Sequence, residues 1–358
     1  MVGLGRREVL AIAATLLAAW AGGWVAKRMG LPLPFLLGAL LVTGTAAILG
    51  LRVFGAPLAL PQTVRMYFVP VIGVAIGAAF TPDVLREAAR WWPTLLGLAV
   101  FVPLAHAISF WIARCAAGVD RVTAFYGTMP GGFIEAITLG EEAGADIALL
   151  SVMQFMRLIY SIVLIPLAFA IATGAAVGSA AGAVLGHGTL TALDWGILIL
   201  AGAVGALAGQ RINLPAAIVT GPIIASGLVH LFGWVTAGPP VWLIDLTQMV
   251  IGASLGARFA GRGAGVLLSG LRIAAMTVAA TLLLGAGFAA SLHGIVGESW
   301  QAVLLAFAPG GLVEMSLVAL SLEISVIYVT AHHVLRILVA VFTARFLAAR
   351  ILKGGAQG

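Results

Sequence analysis

The sequence contains one cysteine, Cys115, so it forms no disulfide within the chain and offers no cysteine cluster to a metal. Charge is nearly as scarce. Only 9% of the 358 residues are charged, against roughly 25% in a soluble domain. A soluble protein so poor in charge could not cover its own surface. Chemical signatures are missing as well: there is no phosphate-binding loop and no His-Glu-x-x-His, and the six histidines are scattered without metal-ligand spacing. Gly261-x-Gly263-x-Gly265 lacks the preceding strand and the spacing of a dinucleotide loop. No cofactor is expected. No nucleotide-binding domain that could power a pump, and no soluble DNA-binding segment, is evident.

What remains is largely hydrocarbon. Hydrophobic residues make up 62% of the chain, and 46 glycines suit close packing of helices in a bilayer. The net charge of +6 would suggest nucleic acid in a soluble protein. Here Lys and Arg sit at the ends of apolar runs and act as topology signals, so the expected partners are the lipid bilayer and a small solute or ion, with no nucleic acid. A homo-oligomer is compatible with the composition. The N-terminus, Arg6-Arg7 followed by the apolar run Val9 to Ala26, imitates a secretory signal. The expectation is that it is retained, because the second half of the chain carries its counterpart.

That second half is a repeat of the first. Leu31-Pro32, Gly38, Arg28 and Gly44 recur as Leu214-Pro215, Gly221, Arg211 and Gly227 at an offset of 183. Farther on the offset is 179: Gly73-x-x-x-Gly77 matches Gly252-x-x-x-Gly256, and Phe80 matches Phe259. Pro130-Gly131-Gly132-x-x-Glu135 matches Pro309-Gly310-Gly311-x-x-Glu314, and in both copies an Arg (Arg157, Arg336) follows 22 residues after the Glu. The chain therefore divides into a first membrane repeat over 1–173, a Gly/Ala-rich linker over 174–194 and a second membrane repeat over 195–358.

Basic residues distinguish two topologies. If the segments holding Pro-Gly-Gly enter and leave on one side, each half crosses five times, the halves are inverted, and 13 Lys/Arg fall on the N-terminal side against 4 opposite. If those segments cross fully, the split is 9 to 8. Cytoplasmic loops are the richer in Lys and Arg. The expected fold is therefore an all-α polytopic membrane protein of two inverted five-helix repeats, each with an additional broken or re-entrant hairpin. Both termini are expected in the cytoplasm, with the chain in the bacterial inner (cytoplasmic) membrane.

Pro and Gly in the middle of an apolar segment break a helix. Broken backbone at membrane depth persists only where it is buried in protein or lines a wet cavity, and a half-helix N-terminus attracts anions. Glu135 and Glu314 follow the breaks. Arg157 and Arg336 lie deep within apolar spans, where charge is costly and marks either an ion pair or a pathway. Gln154 and His333 occupy one repeat position, a turn before each Arg, and His333 is able to titrate near neutral pH. His332 beside it points elsewhere, so the two are a poor metal pair. The candidate substrate- or ion-binding set is Pro130, Gly131, Gly132, Glu135, Arg157, Pro309, Gly310, Gly311, Glu314, His333 and Arg336, with no catalytic or metal-binding residue. The Gly-x-x-x-Gly motifs are read as helix-packing faces.

Two stretches, MPGGFIEAITLGEEAGADIALLSVMQFMRLI and APGGLVEMSLVALSLEISVIYVTAHHVLRIL, resemble the AbrB-type duplicated membrane proteins of bacteria, and the likeness covers nearly the whole chain. Members carry labels as ammonia monooxygenases or regulators of gene expression, neither of which specifies a mechanism. The general plan is similar to secondary transporters of the bile-acid symporter and sodium/proton exchanger type, by analogy of fold alone. The leading expectation is a secondary transporter, most simply of an organic anion coupled to a proton or sodium ion. The alternatives are a membrane-embedded enzyme or redox subunit and a membrane regulator.

Overall fold

The structure is a computed structural model that describes residues 5–58, 60–173 and 190–353. Most of the expected linker, 174–189, lies outside the described residues. Among the described residues the regular structure is helical apart from one short hairpin, in which β1 (Arg52–Val53) pairs antiparallel with β2 (Ala56–Pro57).

The helices of the first repeat are α1 (Arg6–Arg28), α2 (Pro34–Ile48), α3 (Gln62–Gly77), α4 (Pro82–Ala88), α5 (Trp92–Trp111, continued by a π turn, Ile112–Ala116), α6 (Arg121–Gly127), α7 (Phe133–Glu142) and α8 (Ile147–Thr173). Those of the second are α9 (Ala192–Arg211), α10 (Ala217–Leu231), α11 (Val241–Gly256, followed by a 3-10 turn, Ala257–Phe259), α12 (Ala264–Val296), α13 (Trp300–Phe307), α14 (Leu312–Ser321) and α15 (Val326–Lys353). Six of these (α1, α5, α8, α9, α12 and α15) are long and apolar enough to cross a membrane. The shorter apolar helices α2 and α10 have 15 residues each.

Sequence chemistry sets several boundaries. Thr191 and Asp194 form a reciprocal capping box at the start of α9. Asp120 and Ser299 cap α6 and α13 through the backbone N–H groups of Thr123 and Ala302. Leu33 and Ala216, at one repeat position, both enter the left-handed region (φ 46° and 49°) just before α2 and α10. Such backbone is uncommon for residues with a Cβ, and its recurrence marks the turn as a built feature of both copies.

The chain forms two compact units, and each takes one part of both repeats. The first comprises 1–82, 165–262 and 316–323; the second comprises 83–164, 263–315 and 324–358.

In the first unit the two copies make the same contacts with the roles exchanged. Within each copy a glycine pair lets two helices touch backbone to backbone: Gly22 and Gly38 join α1 to α2, and Gly205 and Gly221 join α9 to α10. A Cβ on Gly38 or Gly221 would overlap the carbonyl oxygen of its partner. Between copies, Gly73 of α3 packs on Val219 and Pro222 of α10, while Gly252 of α11 packs on Leu36 and Ala39 of α2. Ser226 Oγ donates to the Val74 carbonyl at 2.9 Å, and Thr43 Oγ1 lies 3.2 Å from the equivalent Ala253 carbonyl. The Gly-x-x-x-Gly faces are thus packing faces, as small residues at helix contacts favour.

The second unit holds α5–α7, α12–α13 and α15, most of α4 and α8, and the start of α14. Its apolar core includes Phe101, Phe288 and Phe307, whose ring centroids lie 5.2–5.5 Å apart. It also contains both Pro-Gly-Gly segments.

Candidate functional site

Both predicted breaks are real. Helix α6 stops at Gly127 and α7 starts at Phe133; α13 stops at Phe307 and α14 starts at Leu312. In the first copy the connection needs glycine. Gly131 and Gly132 have φ of 158° and 66°, and Gly132 is the N-cap of α7.

Each break leaves carbonyls at the end of its first half-helix without an intrahelical donor. The long helix of the same copy supplies the donors. In the first copy Gln154 Nε2 donates to the carbonyls of Tyr126 (2.9 Å) and Met129 (3.2 Å), and Arg157 Nη1 also donates to Met129. In the second, His333 Nε2 donates to Leu305 O at 3.0 Å, while Arg336 donates through Nη1 to Ala308 O and through Nη2 to Gly310 O. Tyr126 and Leu305 are equivalent in the repeat, as are Met129 and Ala308. A cation at a helix C-terminus opposes the negative end of the dipole, so each buried Arg completes the end of a broken helix.

The two acids stand at the other side of each break. Glu135 is in the first turn of α7, and its carboxylate folds back beside Gly132. Glu314 is in the first turn of α14, is buried, and lies against Gly311 so closely that a Cβ there would collide with it. Carboxylates at these positions favour the positive end of a helix dipole. Each repeat therefore carries a matched pair: an acid at the start of its second half-helix and an Arg at the end of its first.

The breaks come together. Pro130 and Pro309 line one small cavity of about 20 Å³, with Arg157, Ser109, Thr128, Thr277 and Thr281 around it. That volume holds about one water. Gly131 packs against Ile337 and Ala340 of α15, and Gly311 against Leu158 of α8, so each break rests on the long helix of the other copy. Gly310 lies against Met315. Thr277 and Thr281 did not stand out in the sequence. Their four-residue spacing on one face of α12 was the available signal, but it is diluted by the many small residues around it. Among the described residues no three of His, Cys, Asp and Glu stand close enough together to share a metal ion.

A mostly helical chain with six membrane-length apolar helices and two apposed helix breaks is a polytopic membrane-type protein. Comparison with known proteins agrees. The family described as "Transition state regulatory protein AbrB" matches residues 43–352, and the chain belongs to that family. A protein of Escherichia coli (strain K12) named as a candidate regulator, AbrB, is 26% identical over 328 residues, which is 89% of this chain and 91% of that protein. The uncharacterized protein YhjN of Bacillus subtilis (strain 168) is 26% identical over 348 residues, 90% of this chain and 88% of that protein.

Proposed function

We propose that this protein is a secondary transporter of a small solute, built from two inverted repeats of five crossing helices, each with a broken hairpin, in the bacterial cytoplasmic membrane with both termini inside. The observation that carries the reading is the meeting of both breaks at one cavity, with Pro130 and Pro309 on its wall. Inverted repeats with half-helices that meet at a site are a recurring plan of secondary transporters. A cavity of about 20 Å³ is an occluded form, and a solute would enter only after it widens.

The arrangement favours an organic anion moved with a proton or a sodium ion. Glu135 and Glu314 occupy the positive ends of α7 and α14, where a solute carboxylate or similar anion would bind. The anion must displace the acid, and an acid that takes up a proton releases its hold on the helix end. Entry of the anion and loading of the proton are then linked events. The guanidiniums of Arg157 and Arg336 are held by carbonyls, so they supply positive potential to the site while keeping each break in shape.

Uptake into vesicles containing the purified protein tests this, with a panel of organic anions and cations and imposed proton or sodium gradients. The expected result is gradient-driven uptake of an anion that Glu135→Gln and Glu314→Gln abolish or shift in pH dependence while the protein stays folded. Stable variants that transport normally would remove the acids from the mechanism, and a folded protein that moves no solute would remove the transport reading. The family description favours a second reading, a membrane regulator of gene expression. Transcript changes in a deletion strain that a transport-dead variant fully restores would support that instead.

A further inference from the structure

The two copies inside the second unit are alike at the breaks and unlike one helical turn away. In the second copy, His332 is fully buried and its two ring nitrogens face different partners. Nδ1 lies 2.8 Å from the Tyr328 carbonyl, and Nε2 lies 2.9 Å from Thr94 Oγ1. Under the repeat, the equivalents of His332, Tyr328 and Thr94 are Met153, Leu149 and Ile273, which sit together in one apolar cluster with Val119. Val119 is in turn the equivalent of Glu298. The surroundings of His332 are thus polar at four positions whose repeat equivalents are apolar.

The partners of His332 suit two protonation states. A carbonyl only accepts, so Nδ1 keeps its proton. Thr94 is adaptable: its hydroxyl lies 2.8 Å from the Trp91 carbonyl as well as close to Nε2. With His332 neutral, the hydroxyl donates to Nε2. With His332 charged, Nε2–H donates to Oγ1 and the hydroxyl turns to Trp91 O. One bond rotation satisfies both His332 and Thr94 in either form.

The same Trp91 has its indole near the Glu298 carboxylate, as does Ser325 its hydroxyl, and Glu298 stands in the connection between α12 and α13. Burial raises the Glu298 carboxyl above the ordinary range, and nearby Glu87 adds to this, while the polar groups of Trp91 and Ser325 oppose it. The Tyr328 ring packs edge-on against Trp91 at 5.3 Å and tilted against His332 at 4.1 Å; its hydroxyl reaches toward Thr94 without completing a well-formed hydrogen bond. The remaining surroundings of His332 are Phe307 of α13, His333 and Arg336 on its own helix, and, facing Arg336, Arg157 of α8.

We propose that His332 of the second copy is a proton-binding site, with Thr94 of the first copy as the hydroxyl that adapts to its charge. As the coupling site for a solute, it rests on the transport reading above; as a proton site, it does not.

The test uses the full chain in lipid nanodiscs, labelled with ¹⁵N in the histidine rings and titrated with acid, no solute being present. His332→Asn assigns the signal among six histidines. His332 should pass from Nδ1–H alone to both nitrogens protonated, and Thr94→Val should lower its proton affinity about tenfold. Thr94→Ser should restore the affinity to within about threefold, with the other histidine signals unchanged as the measure of folding. A His332 that keeps one charge state from about pH 4 to about pH 9, or that titrates identically with Val at position 94, overturns the proposal. Vesicle uptake separates the two readings. Proton-coupled uptake that survives His332→Asn removes the coupling role and leaves transport standing, whereas titration without any solute flux leaves the proton site and removes transport.

Discussion

The two units of this protein use one duplication in opposite ways. In the first, the copies exchange equivalent contacts: Gly73 on Val219 mirrors Gly252 on Leu36, and Ser226 on Val74 mirrors Thr43 on Ala253. In the second, the frame of each break is repeated and the lining has diverged. Gln154 stands where His333 does, Met153 where His332 does, and Thr277 and Thr281 of α12 stand where α5 has Leu98 and Val102. Packing between copies constrains both partners at once, so it stays symmetric. Chemistry at a shared site needs only one copy to supply each group, so it is free to specialise.

The comparison breaks hardest at the glycine contacts. Gly38→Ala would set a Cβ on the carbonyl of Gly22, and Gly221→Ala a Cβ on that of Gly205. Backbone cannot yield there as a flexible side chain would. Each change should cost about 3 kcal/mol, measured by unfolding in detergent, and the two costs should agree within about 1 kcal/mol if the copies are equivalent. Gly196→Ala, which meets open space, should lie within about 0.5 kcal/mol of the parent. Unequal costs at Gly38 and Gly221 would refute symmetric packing.

At the breaks, the same operation should give unequal results. Met129 O accepts from both Gln154 and Arg157, so it keeps a donor when Arg157 is lost. Ala308 O and Gly310 O both depend on Arg336, because His333 bonds to Leu305 instead. A buried carbonyl without a donor costs roughly 1–3 kcal/mol. Arg336→Met should therefore destabilise by about 2–3 kcal/mol and Arg157→Met by about 1 kcal/mol. Equal losses would mean that the caps are interchangeable.

Glu298 sharpens the comparison through pH, since its first-copy counterpart, Val119, cannot titrate. A carboxyl whose proton affinity is raised on folding binds more protons in the native state than in the unfolded one. Its contribution to stability is then greatest at low pH and is lost as pH rises from the ordinary value of 4.5 through the raised one. Glu298→Gln should flatten that decline, read as midpoint of unfolding against pH. Half-exposure and screening keep the effect modest.

Much of this architecture is legible in the sequence because it is written twice. The offset of 183 carries the glycine pairs of α1–α2 and α9–α10, and the offset of 179 carries the breaks, their acids and their arginines. Pro-Gly-Gly identifies the breaks because no continuous helix tolerates it cheaply. The partners of Arg157 and Arg336 were not legible. A buried Arg near a buried Glu suggests an ion pair, whereas the carbonyls that these guanidiniums cap belong to the backbone and leave no mark in residue identity. The regrouping of both repeats into two interleaved units was hidden for a similar reason: it depends on which helix faces which, and glycine faces do not name their partners. The environment of His332 was invisible because Thr94 lies 238 residues away and outside the repeat's own register.

The smallest expected effect returns to the symmetric unit. Thr43 Oγ1 lies 2.7 Å from Ala39 O in its own helix and 3.2 Å from Ala253 O across the copies. Ser226 Oγ donates across to Val74 O at 2.9 Å and lies 3.4 Å from His230 Nδ1. Each hydroxyl thus has one partner across the copies and one on its own helix. The backbone acceptors in α3 and α11 also receive helical N–H groups, so losing a hydroxyl removes a second donor and leaves neither carbonyl bare. Thr43→Val and Ser226→Ala should each cost about 0.5–1 kcal/mol, the scale of hydrogen bonds between helices in membranes. The 3.2 Å contact is the longer, and Thr43 has a local acceptor to fall back on, so Ser226→Ala should be the costlier by a few tenths of a kcal/mol. Because the sites share no partner, the double variant should show the sum of the two costs. A double variant much less stable than that sum would mean that the two hydroxyls act together across the unit, and that the symmetry of this packing is cooperative rather than merely repeated.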